Sequence, residues 1–367
     1  MKELEQIIRR HSHNYPAMQP QDVAKLIYQN EFGPGHFVED SERSLQRLKE
    51  EYFSIRSLYT ESCQHETERE NKIHSLIEPI GNGSVRCYLQ GVEEKELSIL
   101  NRIFVLTANN KKGTKENYER KLFGILPCFD RMGFSFDSKQ YVSYIEGQKE
   151  KDYPIVSHSE AYRQAYAPGY RVIDERYAPF LPLFAALEKK QKQKEGARLV
   201  VGIDGNAAAG KTTLAQCLSE LYECEVIHMD DFFLPPSLRT KERLAEAGGN
   251  VHYERFLEET AKGIQSGRDF SYRAFSCREM DYTGKYVING RKMLVVEGAY
   301  SMRPEFRELY DFKIFMKLPL EKQLERIRKR NGEGQCEIFR TKWIPMENNY
   351  FEVFQVEADC NFIISGK

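Results

Sequence analysis

Residues Gly205-Asn-Ala-Ala-Ala-Gly-Lys211-Thr212 fit the pattern G-x-x-x-x-G-K-[ST]. In that pattern, backbone N–H groups and a helix N-terminus hold phosphate oxygens. Lys211 reaches the terminal phosphates, and the Thr212 hydroxyl is placed to ligate Mg²⁺. The candidates for contact with a bound triphosphate are Gly205, Asn206, Ala207, Ala208, Ala209, Gly210, Lys211, Thr212 and Thr213. The expected cofactors are ATP and Mg²⁺. Further along, Val226-Ile-His-Met-Asp230-Asp231-Phe232-Phe233 ends an apolar run in two carboxylates. A carboxylate there can take a proton from a hydroxyl that attacks the γ-phosphate. It can equally cap a helix. Lys292-Met-Leu-Val-Val-Glu297-Gly298 sets one carboxylate at the end of four apolar residues, the form of a strand whose Glu297 supports the metal. Gly298 leaves room for backbone near a ligand. Glu325-Arg326-Ile-Arg328-Lys329-Arg330-Asn-Gly-Glu-Gly334 is a basic helix end running into a glycine break. It suits a lid that lays Arg on a transferring phosphoryl group, and its cations also suit a helix C-terminus. Arg326 and Arg330 share a face at i, i+4 and are the lid candidates.

These groups need a strand–loop–helix frame. Candidate strands are Leu199–Ile203, Glu225–His228, Lys292–Val296, Lys313–Leu318 and Asn361–Ser365. Candidate helices are Lys211–Tyr222, Tyr253–Gln265, Leu320–Arg330 and Phe339–Val356. Short apolar strands alternating with helices give an α/β class: a doubly wound parallel sheet with ligand at the carboxyl ends of its strands. The charged stretch Leu187–Ala197 reads as a helix end and linker, with Gly196 as the break. The expected organisation is an N-terminal domain over 1–190, a linker over 191–197 and a P-loop domain over 198–367.

The N-terminal half carries helical patterns at Glu3–Arg10, Gln21–Tyr28, Ser41–Tyr52, Glu94–Leu100 and Lys115–Phe123, and turn signals at Gly33–His36 and Gly81–Gly83. It reads as mainly helical. Tyr162, Tyr166, Tyr170 and Tyr177 form a Tyr-rich segment, read first as packing between domains, with a ligand pocket or a docking surface as the alternatives.

Lys and Arg total 54 against 55 Asp and Glu, a balance that gives no support for a polyanion-binding surface across the molecule. Eight cysteines, Cys63 among them, show no C-x-x-C spacing and read as free thiols in a reducing compartment. The start of the chain has no apolar core of a signal peptide, and no apolar run reaches the length of a membrane span. The expectation is a cytoplasmic protein whose partner is a small-molecule substrate. Neither nucleic acid nor membrane is expected, and homo-oligomerisation stays open.

With these motifs in hand, residues 198–367 resemble the uridine kinase-like branch of P-loop kinases, which includes nicotinamide riboside kinases. The loop Gly-Asn-Ala-Ala-Ala-Gly-Lys-Thr-Thr, Asp-Asp-Phe-Phe, Val-Val-Glu-Gly, Phe339–Phe351 and Ala358–Ile364 carry the resemblance. It implies a sheet of order 2-3-1-4-5, Asp230 as catalytic base, with Lys211, Arg326 and Arg330 beside it, and Thr212 and Glu297 as the metal-associated pair. The family's acceptor segment falls near Asp269–Arg278. The resemblance thus gives Asp231, Phe233, His252, Tyr253, Tyr272, Arg273 and Arg278 as substrate-binding candidates, with the two Arg suited to an acidic substrate. The aromatics of that segment also suit the core of a β-hairpin. The first 190 residues have no counterpart in simple uridine kinases, and the family's usual C-terminal helix is short or absent.

The resulting expectation is Mg·ATP-dependent phosphoryl transfer to a hydroxyl of a small metabolite, first of all a nucleoside. The competing reading is a P-loop NTPase switch or regulatory ATPase with the N-terminal half as effector or partner-binding module. The N-K-x-D motif expected of a GTPase is absent from the sequence.

Overall fold

The structure is a computed structural model and describes residues 1–62, 77–111 and 113–366. Two compact units divide the chain, Met1–Ala185 and Ala186–Lys367.

In the first unit, α1 (Lys2–Asn14), α2 (Pro20–Phe32) and α3 (Ser41–Ser62) precede a hairpin of β1 (Ile77–Gly81) and β2 (Ser84–Tyr88). Then come α4 (Leu97–Asn110), α5 (Lys115–Gly124), α6 (Ser138–Glu150), α7 (Glu160–Tyr166) and β3 (Tyr170–Asp174), which pairs antiparallel with β2. At the hairpin turn Asn82 and Gly83 both take positive φ, 51° and 70°, as a two-residue turn between twisted strands requires. The small sheet buries charge. The Arg86 guanidinium donates to Gln29 Oε1 at 3.0 and 2.8 Å, faces Glu78 at 3.4 Å and lies 4.7 Å from the Tyr170 ring centre. Tyr162 and Tyr177 are buried, and the Tyr166 hydroxyl accepts from Ala17 N at 2.8 Å. Tyr162, Tyr166 and Tyr170 of the Tyr-rich segment thus pack on the core of this unit.

The division falls within α8 (Leu181–Gln193). The expected linker 191–197 is the end of that helix and the turn after it.

The second unit opens with β4 (Leu199–Gly205), the loop, α9 (Lys211–Tyr222) and β5 (Glu225–His228). A long excursion follows: α10 (Lys241–Ala245), α11 (Tyr253–Phe256), a π turn over Leu257–Ala261, α12 (Lys262–Ser266), and an antiparallel hairpin of β6 (Phe270–Ser276) and β7 (Asp281–Ile288). Next are β8 (Met293–Glu297), β9 (Phe312–Lys317), α13 (Leu320–Asn331) and α14 (Glu333–Ile338). A second π turn over Phe339–Trp343, α15 (Ile344–Val353) and β10 (Phe362–Ser365) end the unit. The five-stranded sheet is parallel, in the order β10-β9-β4-β8-β5. Numbered within the unit and read from the β5 edge this is 2-3-1-4-5, the order that the resemblance implies, and the unit has the α/β P-loop kinase fold. β4 and β8 are buried along their whole length, which is why they read as apolar runs.

Gly205 is where the strand must turn into the loop. Its φ is +140°, and a Cβ there would lie 2.1 Å from Met316 O on β9. Gly298, at φ +137°, passes the end of β8 over Met229, whose Cβ would be 2.8 Å from an added Cβ. The Seven cysteines among the described residues, from Cys87 to Cys360, are free thiols, and Cys63 lies outside them. No helix among the described residues is long and apolar enough to cross a membrane. Gly205→Ala is expected to lower the stability of this unit by at least about 2 kcal/mol, from backbone strain and the clash with β9. Urea unfolding followed by the fluorescence of Trp343, the single tryptophan, measures it.

Candidate active site

A cleft of about 940 Å³ is lined by the loop residues Ala207 to Thr213, by Asp230 and Phe233 beyond β5, by Glu297 at the end of β8, and by Arg326 and Arg330 of α13. Asn206 ties the loop to β9: its N–H donates to Met316 O at 2.9 Å and its Oδ1 accepts from Leu318 N at 2.9 Å. Lys211 Nζ donates to the carbonyls of Gly205 at 2.6 Å and Asn206 at 3.0 Å, which holds the ammonium across the loop. The Thr212 hydroxyl donates to Glu297 Oε1 at 3.2 Å. A hydroxyl and a carboxylate so close, at a helix start rich in free N–H groups, are the hard oxygen donors and anion cradle that Mg²⁺ and a triphosphate need. The residues fit both.

His228 also engages Glu297, Nδ1 to Oε1 at 2.6 Å, and this carboxylate raises the imidazole pKa. Nothing in the motif reading singled out His228. Arg326 Nη1 donates to Ala208 O at 3.2 Å, so this lid residue already reaches the loop. Arg330 donates to Asn331 Oδ1 at 2.7 Å at the cleft edge.

The two neighbouring aspartates take different directions. Asp230 opens into the cleft, and its carboxylate accepts no hydrogen bond from a described residue. The surrounding protein desolvates it and Glu297 repels its charge, so its pKa is raised. Asp231 instead accepts from the Tyr272 hydroxyl at 2.8 Å. Tyr272 is buried, stacked between Phe232 and Tyr286 with ring centres 5.1 and 5.6 Å away. It belongs to the hairpin core and is not among the cleft-lining residues. Arg273 pairs with Glu259 at 2.6 Å, and Arg278 lies in the exposed turn between β6 and β7. His252 Nδ1 caps α11 by accepting from Arg255 N at 3.2 Å. The Tyr253 ring is held between Arg243 and Arg303, 3.9 and 4.0 Å from its centre. Of the seven substrate candidates the structure thus brings Phe233 to the cleft, sets Asp231 behind it, and places the other five in packing, capping or surface positions. His252, Tyr253, Tyr272 and Arg273 find partners elsewhere in the unit, a fate the local sequence does not distinguish from ligand contact.

Two carboxylates outside the motif reading hold the loop from behind. Asp204 is fully buried and accepts from Gly205 N at 2.7 Å, Met302 N at 3.1 Å and the Tyr350 hydroxyl at 2.8 Å. Burial pushes its pKa up to about 6, against the pull of Lys211. Glu347, on α15, accepts from Ala207 N at 3.0 Å, and burial pushes it up to about 7. Asp204 had a visible signal, an acid inside an apolar strand directly before the loop.

A carboxyl whose folded pKa lies above its unfolded value binds its proton more tightly when folded. Its contribution to stability is full below the unfolded value and is lost as pH rises through the folded one. For Glu347 that window runs from 4.5 to about 7. Glu347→Gln, which keeps an acceptor for Ala207 N, is expected to remove on the order of 2–3 kcal/mol of stability loss between pH 4.5 and 8. Urea titrations at several pH values, read by Trp343 fluorescence, test this.

No family model matches the chain. Its sequence is 25% identical over 134 residues to the uridine-cytidine kinase C of Dictyostelium discoideum, covering 35% of this chain and 29% of that protein. Among solved structures, a possible uridine kinase from Bacillus stearothermophilus is similar at 19% identity and a TM-score of 0.37, over 49% of this chain and 99% of that one. A shikimate kinase from Bacteroides thetaiotaomicron is similar at 14% identity and a TM-score of 0.23, over 45% of this chain and 85% of that one. What the chain resembles, over about half its length at most, is the uridine kinase-like group of P-loop kinases.

Proposed function

We propose that the protein transfers the terminal phosphoryl group of Mg·ATP to a hydroxyl of a small metabolite. The observation that carries this reading is Asp230. Its carboxylate opens into the same cleft as Lys211, Thr212 and Glu297 and accepts no hydrogen bond from a described residue. Hydrolysis needs only a positioned water, whereas a basic carboxylate beside a roomy cleft suits a bound acceptor hydroxyl. When bound, Mg·ATP supplies the phosphoryl group and the metal's charge. The loop amides and Lys211 bind the phosphate oxygens, while Thr212 and Glu297 hold the metal. Asp230 accepts the proton of the acceptor hydroxyl, and Arg326 and Arg330 answer the negative charge on the lid side. Nucleosides are the first acceptor class to try, given the resemblance.

A phosphoryl-transfer screen of the purified full chain tests the reading, with ATP against nucleosides, sugars, hydroxy acids and sugar phosphates. Transfer to at least one acceptor well above background hydrolysis is expected. ATP hydrolysis with no acceptor across the panel, unchanged in Asp230→Asn, would overturn it in favour of an NTPase switch. Asp230→Asn is expected to lower kcat by about 10²- to 10⁴-fold while ATP still perturbs Trp343 fluorescence. Lys211→Ala is expected to weaken that ATP response as well.

A further inference from the structure

The segment after β5 builds one wall of the cleft. Leu234 N donates to Asn250 O at 3.0 Å, and Phe233 bridges to Val251. Asp230, Phe233, Arg239, Asn250 and Cys277 all face the cleft from this wall. Among the described residues that line the cleft from this wall, Arg239 is the one cation. Its Nε donates to Leu234 O at 2.8 Å, and its Nη2 lies 3.8 Å from Cys277 Sγ. The guanidinium thus donates from Nε to a backbone oxygen and from Nη2 to the thiol sulfur, and among the described residues no carboxylate pairs with it.

That sets it apart from its neighbours. Arg243 pairs with Glu254, Arg255 and Arg273 with Glu259, and Arg303 with Glu305. Glu242, the nearest acid in sequence, is hydrogen-bonded to Thr240 at the start of its own helix, and Asp231 is engaged by Tyr272. Apart from Asp230, which opens into the same cleft, these acids are engaged elsewhere, and the exposed Arg239 faces the cleft with no ion pair among the described residues. Arg326 and Arg330 serve the loop side, so the charge of Arg239 is on the Asp230 side, where an acceptor must lie. A planar guanidinium with open N–H groups matches carboxylate or phosphate oxygens.

Building on the phosphoryl-transfer reading above, we infer that the acceptor is a hydroxy compound that also carries an anionic group, a carboxylate or a phosphate, and that Arg239 binds that group. A neutral acceptor would offer no countercharge to this guanidinium beside the reacting hydroxyl. The anion fixes the acceptor's orientation so that its hydroxyl meets Asp230.

Matched acceptors test this on the full chain: D-glycerate against glycerol for the carboxylate arm, and fructose 6-phosphate against fructose for the phosphate arm, with uridine as a neutral nucleoside. The expected result is that at least one anionic member exceeds its neutral partner, and uridine, by on the order of 10²-fold in kcat/KM. The arm that shows it identifies the anion. Arg239→Ala is expected to raise the KM of that acceptor by about 10- to 150-fold and to collapse the preference, with Arg239→Lys restoring part of it. Transfer to uridine or to the neutral members with equal or greater efficiency would overturn this inference and leave the kinase reading standing. So would a preference for the anion that Arg239→Ala leaves intact. Absence of transfer to every acceptor overturns both. The wild-type comparison needs no variant to fold.

Discussion

One ammonium group answers to two buried acids and to whatever anion enters the loop. Lys211 is the cation that eases the charge of both Asp204 and Glu347, and it also bridges the first two carbonyls of the loop. An acid as buried as Asp204 is tolerated because backbone N–H groups and a tyrosine hydroxyl surround it. The same contacts join three separate pieces of chain. β4 supplies Asp204, the loop supplies the amide that meets Glu347, and α15 supplies Glu347 and Tyr350. The shape of the phosphate cradle is therefore as much a property of α15 as of the loop, although the two are about 140 residues apart.

The excursion between β5 and β8 shows a second use of charge. Arg255, almost wholly buried, donates to the backbone oxygens of Asp231 at 2.6 Å and Arg273 at 2.5 Å, and lies 4.4 Å from the centre of the Phe232 ring. It clamps the segment carrying the acidic pair onto the hairpin. A guanidinium used this way is structural. It rigidifies the wall from which Asp230 projects, and rigidity under a reacting group is what keeps its geometry.

The parallel sheet was legible in the sequence almost to the residue: Glu225–His228 and Lys211–Tyr222 are observed as read. Strands buried on both faces must be apolar throughout, and the loop motif supplies the register. The sheet of the first unit was not legible. β1 and β2 contain Glu78, Pro79 and Arg86, and they are buried through ion pairs and aromatic contacts between distant segments, which no local pattern announces. In the cleft, residues belonging to the loop motif lay where the motif places them. On the acceptor side Tyr272 and Arg273 are engaged by Asp231 and Glu259, partners from other elements that the local sequence does not show. Arg239 escaped notice for the opposite reason: what distinguishes it is that no carboxylate among the described residues pairs with it.

The π turn at Phe339–Trp343 interrupts what reads from periodicity as one helix from Phe339 to Val356. A π turn accommodates one residue more than an α turn, so every side chain after it is rotated by roughly 100° from where an unbroken helix would carry it. Glu347 and Tyr350, three residues apart, point together at the loop and at Asp204 only in that rotated phase. The extra residue thus acts as an angular setting. Deleting any one residue between 339 and 343 would swing both side chains off the cradle while leaving a helix of ordinary appearance.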